Sequence, residues 1–260
     1  MWIDTHAHLT LGSFDDQLEE IIKRALDCRI EHIVNICTDQ KSLNKGLELS
    51  KQYPWIVNTA AATPHDVVEI GDAFFEEVSF HAKEGNLRAI GETGLDYYSS
   101  TASKEIQAVH LKQYLMLAKE CSLPLIFHCR EAFDDLFKIV DEKREKVKAI
   151  LHCFTGTHDE AKECLKRGWL LSISGIATFK NAKALQHVIK ETPLESLVIE
   201  TDAPYLAPQS KRGQVNEPSY VIETAQMIAD LKNIPIEEVA RVTTHNAHQF
   251  FSFQKEGRSI

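Results

Sequence analysis

Short apolar runs alternate with longer amphipathic stretches from one end of this 260-residue chain to the other. A strand, then a helix, then another strand implies a parallel sheet, because parallel neighbours need a crossover long enough to return to the same edge. Trp2-Ile3 leads a first strand ending near His8, and Ser13 is expected to cap a helix carrying Leu18, Ile21, Ile22, Ala25 and Leu26 at helical spacing. Further strands are predicted over 32–36, 55–62, 87–90, 124–127, 149–151, 169–173 and 197–199. Helices are predicted between them: one carrying Leu43, Leu47 and Leu49 and stopped by Pro54, then 67–83, 104–120, one after Ala132, 159–166 and one around 182–189. Beyond a loop at 204–218 that contains Pro and Gly, the remainder reads as helix. Eight such units favour closure into an α/β (β/α)8 barrel, with an open doubly wound sheet as the rival. No linker or low-complexity stretch interrupts the pattern, so residues 1–260 read as a single barrel domain.

Composition narrows the class. Hydrophobic residues make up 43% and charged residues 26%, an ordinary balance for a soluble chain able to bury a core without staples. A net charge of −9 argues against a broad basic surface for coating DNA. It leaves room for a nuclease, since bound divalent cations supply local positive charge. No apolar run approaches a membrane span, and the N-terminus lacks a basic-then-apolar signal, so the expected location is the cytoplasm. The six cysteines form no Cys-x-x-Cys pair and read as reduced, mostly buried thiols. No obligate protein partner is evident.

The chemistry-bearing residues fall at strand ends. His6 and His8 end the first strand, Glu92 follows the fourth, His128 the fifth, His152 the sixth and Asp202 the eighth. In a barrel these points converge on the C-terminal mouth, where such enzymes act. His6 and His8 share one strand face and can grip one ion, although an isolated His-x-His pair is a weak signal. Asp4, two residues earlier, reads as an orienting partner for a histidine. Glu92 stands between Gly91 and Gly94, where glycines let the backbone approach something closely. A lone histidine after a buried strand is usually a satisfied core residue; His128 and His152, each followed by Cys, are better read as a ligating pair. Cys129 and Cys153 should point to the opposite face as core filler. Asp202 has a plain alternative as a turn residue before Pro204, against a role as ligand and general base. His32, His81, His110, His158, His187, His245 and His248 lie at helix or surface positions and are assigned no role.

Four histidines and two carboxylates suffice for two divalent ions. The expected division gives His6, His8 and Asp202 to one and His128 and His152 to the other, with Glu92 between. An ion lowers the pKa of bound water from 15.7 to about 7, and a pair can clamp both attacking and leaving oxygens. This donor set suits zinc, manganese or nickel; magnesium alone would prefer fewer histidines.

Asp4-Thr5-His6-Ala7-His8, Gly91-Glu92-Thr93-Gly94-Leu95-Asp96-Tyr97, His128-Cys129-Arg130, His152-Cys153-Phe154-Thr155-Gly156, Glu200-Thr201-Asp202-Ala203-Pro204-Tyr205 and Asn216-Glu217-Pro218 occur in this order. From residue 4 to about 250 the chain resembles the TatD family of metal-dependent, amidohydrolase-like barrels. The resemblance implies a (β/α)8 barrel, a two-metal site and Mg- or Mn-supported DNase activity, often 3′→5′ exonucleolytic, with DNA as the substrate. Two positions depart from the family pattern. Ala61-Ala62-Thr63-Pro64-His65 replaces Gly-x-His-Pro-His, and Val215 stands where an Arg often precedes Asn-Glu-Pro. Both family positions are expected near the substrate phosphate. His65 and Arg130 remain as candidate substrate contacts, and Lys211 and Arg212 could compensate, although a solvated loop charge is their plain reading. Weak DNA binding is therefore expected, restored by Val215→Arg and further by Thr63→His. The alternative is hydrolysis of a carbonyl centre, such as a D-aminoacyl-tRNA ester or an amide. A metal-binding accessory role without catalysis is disfavoured by six matched ligands.

Overall fold

The computed structural model describes residues 1–142 and 146–253. Eight parallel strands form one sheet in sequence order: β1 (Trp2–Ala7), β2 (Ile30–Cys37), β3 (Ile56–Ala60), β4 (Ala89–Asp96), β5 (Leu125–Arg130), β6 (Ala149–Leu151), β7 (Leu170–Ile173) and β8 (Leu197–Ile199). The ring closes where Ala7 pairs with Ala203, supported by Asp202 N–H donating to His6 O at 2.8 Å and His8 N–H to Ala203 O at 2.7 Å. The barrel is therefore the correct alternative, and the open sheet is excluded.

The helices are α1 (Leu18–Asp27), α2 (Gln40–Gln52), α3 (Val67–Lys83), α4 (Lys104–Cys121), α5 (Phe133–Asp141), α6 (His158–Lys166), α7 (Lys183–Glu191), α8 (Val221–Lys232) and α9 (Ile236–Phe251). Strand alternation sorts the core into two layers. Ile126, Ile150 and Val198 join Ile3, Val34, Ile36, Val57 and Ala89 inside the ring, with Phe250 and Phe251 of α9. Their neighbours Leu125, Phe127, Leu151, Leu197 and Ile199 pack outward against the helices. With both faces buried, the strands read as continuous apolar runs. Among the described residues no helix is long and apolar enough to cross a membrane.

Three local expectations need correction. Ser13 does not cap α1; the chain makes a 3-10 turn over Gly12–Phe14 that buries Phe14, and the helix starts at Leu18. β4 and β5 run several residues past their apolar segments, so Glu92 and His128 lie within strands. The cysteines are free, but only Cys37 and Cys164 are fully buried.

Gly94 explains the long β4. It pairs with His128 across β4 and β5, at φ 152°, and a Cβ there would stand 1.9 Å from the His128 carbonyl oxygen. Only glycine permits that approach. Gly91, at φ 151°, lies similarly against Ile126, with a Cβ position 2.6 Å from its carbonyl oxygen. The close approach expected at these glycines is thus to the neighbouring strand.

Candidate active site

The structure brings His6, His8, Glu92, His128, His152 and Asp202 together at the C-terminal mouth. The two oxygens of Glu92 face different histidines. Oε2 lies 3.2 Å from His6 Nε2 and 3.7 Å from His8 Nε2, whereas Oε1 lies 3.0 Å from His128 Nδ1 and 3.1 Å from His152 Nε2. Asp202 Oδ1 closes the first group, 3.5 Å from His6 Nε2 and 3.4 Å from His8 Nε2.

Burial and charge set the protonation preferences. Burial alone would raise the Glu92 carboxyl; the charge on His152 and hydrogen bonds from His128, His152 and His6 hold it well below the usual carboxylate range. Burial would lower His152, but Glu92 and Glu200 push it well above the ordinary imidazole value. His6 goes the other way, lowered by burial and by the charge of His152. Its buried Nδ1 has no hydrogen-bond partner, and its Nε2 has only the approaches of Glu92 at 3.2 Å and Asp202 at 3.5 Å. Such an orphan is costly in a folded interior unless another partner binds it. A cation fits that position, because His6, His8 and Glu92 converge within ligand distance, as do His6, His152 and Asp202, and Glu92, His128 and His152.

The supporting residues were only partly foreseen. Asp4 holds backbone, not an imidazole: its carboxylate accepts from the N–H of His6 and Thr201 and from the Thr201 hydroxyl, tying β1 to the segment after β8. Glu200, fully buried, accepts from Cys153 N–H at 2.7 Å and faces His152 Nδ1 at 3.5 Å. Asp96 lies 3.1 Å from His128 Nε2. Neither Glu200 nor Asp96 was assigned a role from sequence, although a buried carboxylate two residues before Asp202 and another four after Glu92 were available signals. Cys129 packs against the outer core but also borders the cleft, and Cys153 lies beyond β6, where strand alternation no longer applies. It lines the cleft, with Sγ 3.3 Å from Ser174 Oγ.

A cleft of about 760 Å³ opens over these groups, lined by Thr63, His65, Arg130 and Tyr205 among others. His65 Nε2 lies 3.3 Å from Asp96, and the Arg130 guanidinium stacks 3.9 Å from the Tyr98 ring centroid. The Thr63 hydroxyl already donates to Asp66, and Val215 is exposed outside the cleft lining. Lys211 and Arg212 lie over the rings of Tyr220 and Phe179 and do not line the cleft. A larger cavity of about 900 Å³ lies at the opposite end, beside the strand starts at Arg88, Pro124 and Lys148. That end of a barrel serves stability, so size does not locate the chemistry.

The Asn216-Glu217-Pro218 motif fastens the long loop. The Asn216 amide donates to the carbonyls of Thr201 and Tyr205, and Glu217 accepts a bidentate pair from Arg24 on α1.

A parallel eight-stranded barrel with buried imidazoles and carboxylates at its mouth defines the class of metal-dependent, amidohydrolase-like hydrolases. The chain belongs to the TatD related DNase family, whose model matches residues 3–252. It is 42% identical over 255 residues to the uncharacterized metal-dependent hydrolase YabD of Bacillus subtilis, covering 96% of this chain and 99% of that one. It is 32% identical to the 3′-5′ ssDNA/RNA exonuclease TatD of Erwinia tasmaniensis, covering 96% and 99% respectively. The crystal structure of YjjV, a TatD homolog from Escherichia coli K12, superposes with a TM-score of 0.91 at 26% identity, covering 97% of this chain and 98% of that one. The protein is accordingly a metal-dependent hydrolase.

Proposed function

We propose that this enzyme hydrolyses phosphodiester bonds in DNA, as a 3′→5′ exonuclease, using two divalent ions of zinc, manganese, nickel or magnesium. The observation that carries the two-ion part of this reading is the division of Glu92, with one oxygen toward His6 and His8 and the other toward His128 and His152, and the likeness to the 3′-5′ ssDNA/RNA exonuclease supports the substrate. His6, His8 and Asp202 would hold one ion, His128 and His152 the other, with Glu92 between. Bound ions supply acidification of water and neutralisation of developing charge on phosphate oxygens. Asp202 would take the proton from the attacking water, which requires its carboxyl to be ionised. Burial would raise it, but the His8 hydrogen bond and the charges of His6, His152 and His8 keep it below the ordinary value. His65 and Arg130 bind and orient the substrate from the cleft wall. Six free cysteines suit a reducing compartment, so we place the enzyme in the cytoplasm.

Metal content tests the two-ion arrangement. Wild-type protein at saturating metal should carry two ions, and His6→Ala combined with His8→Ala should leave one. Elemental analysis reads both, and a wild-type content of one ion would end the two-ion account.

The second reading, attack on a carbonyl centre, is favoured by one feature. Among the described residues lining the cleft, Arg130 is the only Arg or Lys. Turnover on a short single-stranded oligonucleotide, compared with carboxyl esters and D-aminoacyl-tRNA, separates the two. For DNA, Thr63→His should lower KM by about tenfold or more, as expected for one charge-assisted contact of about 1.5–3 kcal/mol. Val215→Arg should do less alone, because position 215 lies outside the cleft lining. Unchanged KM in both variants, with negligible wild-type DNA cleavage, would favour the carbonyl substrate.

A further inference from the structure

The two sides of the cleft differ in chemistry. Its aliphatic and tyrosine lining consists of Leu11, Ile176, Tyr205 and Leu206. These residues follow β1, β7 and β8, which are neighbours in the ring across the closing seam. His65 and Arg130 line the cleft from the β3–β5 side, half a ring away.

The apolar side is held in place before any substrate arrives. Tyr205 N–H donates to Asp202 O at 2.9 Å, and Tyr205 O accepts from the Asn216 amide at 2.6 Å. The Tyr205 ring stands nearly perpendicular to that of His8, with centroids 5.9 Å apart, yet the residue is 54% exposed. Ile176 lies in a 3-10 turn, Gly175–Thr178, tied to the loop after Tyr205 because Gln209 N–H donates to Thr178 Oγ1 at 2.7 Å. Leu206 has φ 56°, in the left-handed region that a leucine rarely enters. Glycine or asparagine would make that turn with less strain, so the turn alone does not call for leucine. Strain of this kind is held where a binding surface uses the side chain.

A nucleotide has the same division as the cleft, a charged phosphate joined to a flat base with apolar faces. We infer that the wall of Leu11, Ile176, Tyr205 and Leu206 is a nucleobase subsite. It takes one of the two bases flanking the scissile phosphate, while Arg130 faces the sugar–phosphate chain from the opposite side. Every base has a π-face, and this wall offers it carbon surface and one tyrosine ring, so any of the four bases should serve. The base must leave its stack to lie there, which favours single strands over duplex ends. This inference rests on phosphodiester hydrolysis, as proposed above.

The test uses the full chain with manganese and a short single-stranded oligonucleotide. Two copies of that oligonucleotide carry an abasic sugar, one at the 3′-terminal position and one at the penultimate position. These two sugars flank the phosphate that a 3′→5′ exonuclease cuts first. In the wild type, one of the two abasic substitutions should raise KM by about 5–150-fold, the range for losing one base–aromatic stack. Tyr205→Ala should raise KM on the intact oligonucleotide and bring the ratio between abasic and intact substrates toward one. Tyr205→Phe keeps the ring and should keep the ratio. Leu206→Gly suits the left-handed backbone, so it should fold, and it should lower the ratio. A variant that only disturbs the ion site slows intact and abasic substrates alike and leaves the ratio at its wild-type value. The inference is overturned if Tyr205→Ala and Leu206→Gly both leave the ratio unchanged. It is also overturned if Tyr205→Phe loses the ratio as Tyr205→Ala does, because the hydroxyl would then be the contact. Cleavage of intact and both abasic oligonucleotides with equal KM in the wild type removes the subsite and leaves phosphodiester hydrolysis standing. If no oligonucleotide is cleaved while carboxyl esters are, phosphodiester hydrolysis falls and takes this inference with it.

Discussion

Asp202→Asn should lower kcat by ~10²–10⁴-fold, the range expected when a positioned general base is removed, and should lower bound metal by much less. The substitution is nearly isosteric. Its amide oxygen can still face His8 and His6, which lie 3.4 and 3.5 Å from Oδ1. The Asp202 backbone is held independently, through its N–H on the His6 carbonyl. The change therefore removes proton acceptance while sparing the fold. Single-turnover cleavage of a short oligonucleotide, with elemental analysis of the same sample, gives both quantities. Turnover within about threefold of wild type would show that Asp202 is not the base. Metal loss in step with activity would make it chiefly a ligand.

Gly94→Ala should cost more than about 3 kcal/mol of stability, or prevent folding altogether. The position has φ 152°, and the added Cβ would lie 1.9 Å from the His128 carbonyl oxygen. The obstruction is backbone, so no rotamer change relieves it, and relief requires β4 and β5 to part. Gly94 pairs directly with His128. Parting the strands would move that imidazole from Glu92 even in molecules that fold. Chemical denaturation measures the first effect. A loss below about 1 kcal/mol would mean the strands can separate locally at little cost.

The alternation of strand and helix was readable because both strand faces are buried. Ile126, Ile150 and Val198 point inward while their neighbours point outward, so each strand stands out as an apolar run. The ends of β4 and β5 were not readable. Glu92-Thr93-Gly94-Leu95-Asp96 looks like a polar turn, yet it continues the strand because Gly94 admits the neighbouring backbone. Ser13 looked like a helix cap because its residue type favours that role, but burial of Phe14 imposed a different local path. The six convergent side chains could be named from sequence because each stands next to an apolar run. Glu200 and Asp96 stand two and four residues from named ligands, a signal of proximity alone; their partners, like those of the Arg24–Glu217 clamp, are brought close only by barrel closure. Asp4 misled in kind: a carboxylate near a histidine suggested a ring partner, whereas it holds the His6 backbone. Cys153 misled because alternation was extended past the end of β6.

The seam between β1 and the segment after β8 has few backbone bonds: the Ala7–Ala203 bridge and the contacts of Asp202 with His6 and His8 with Ala203. The residues on either side of it are the same ones proposed to hold an ion. Occupancy and ring closure would then be linked equilibria. Where His6, His8 and Asp202 hold an ion, each tenfold excess of free ion over its dissociation constant adds about 1.4 kcal/mol against opening. A chelator would act there as a denaturant with a single address, releasing the first strand from the last before the other helices and strands respond. With that assignment, ion supply would govern the lifetime of the folded chain as well as its rate of turnover.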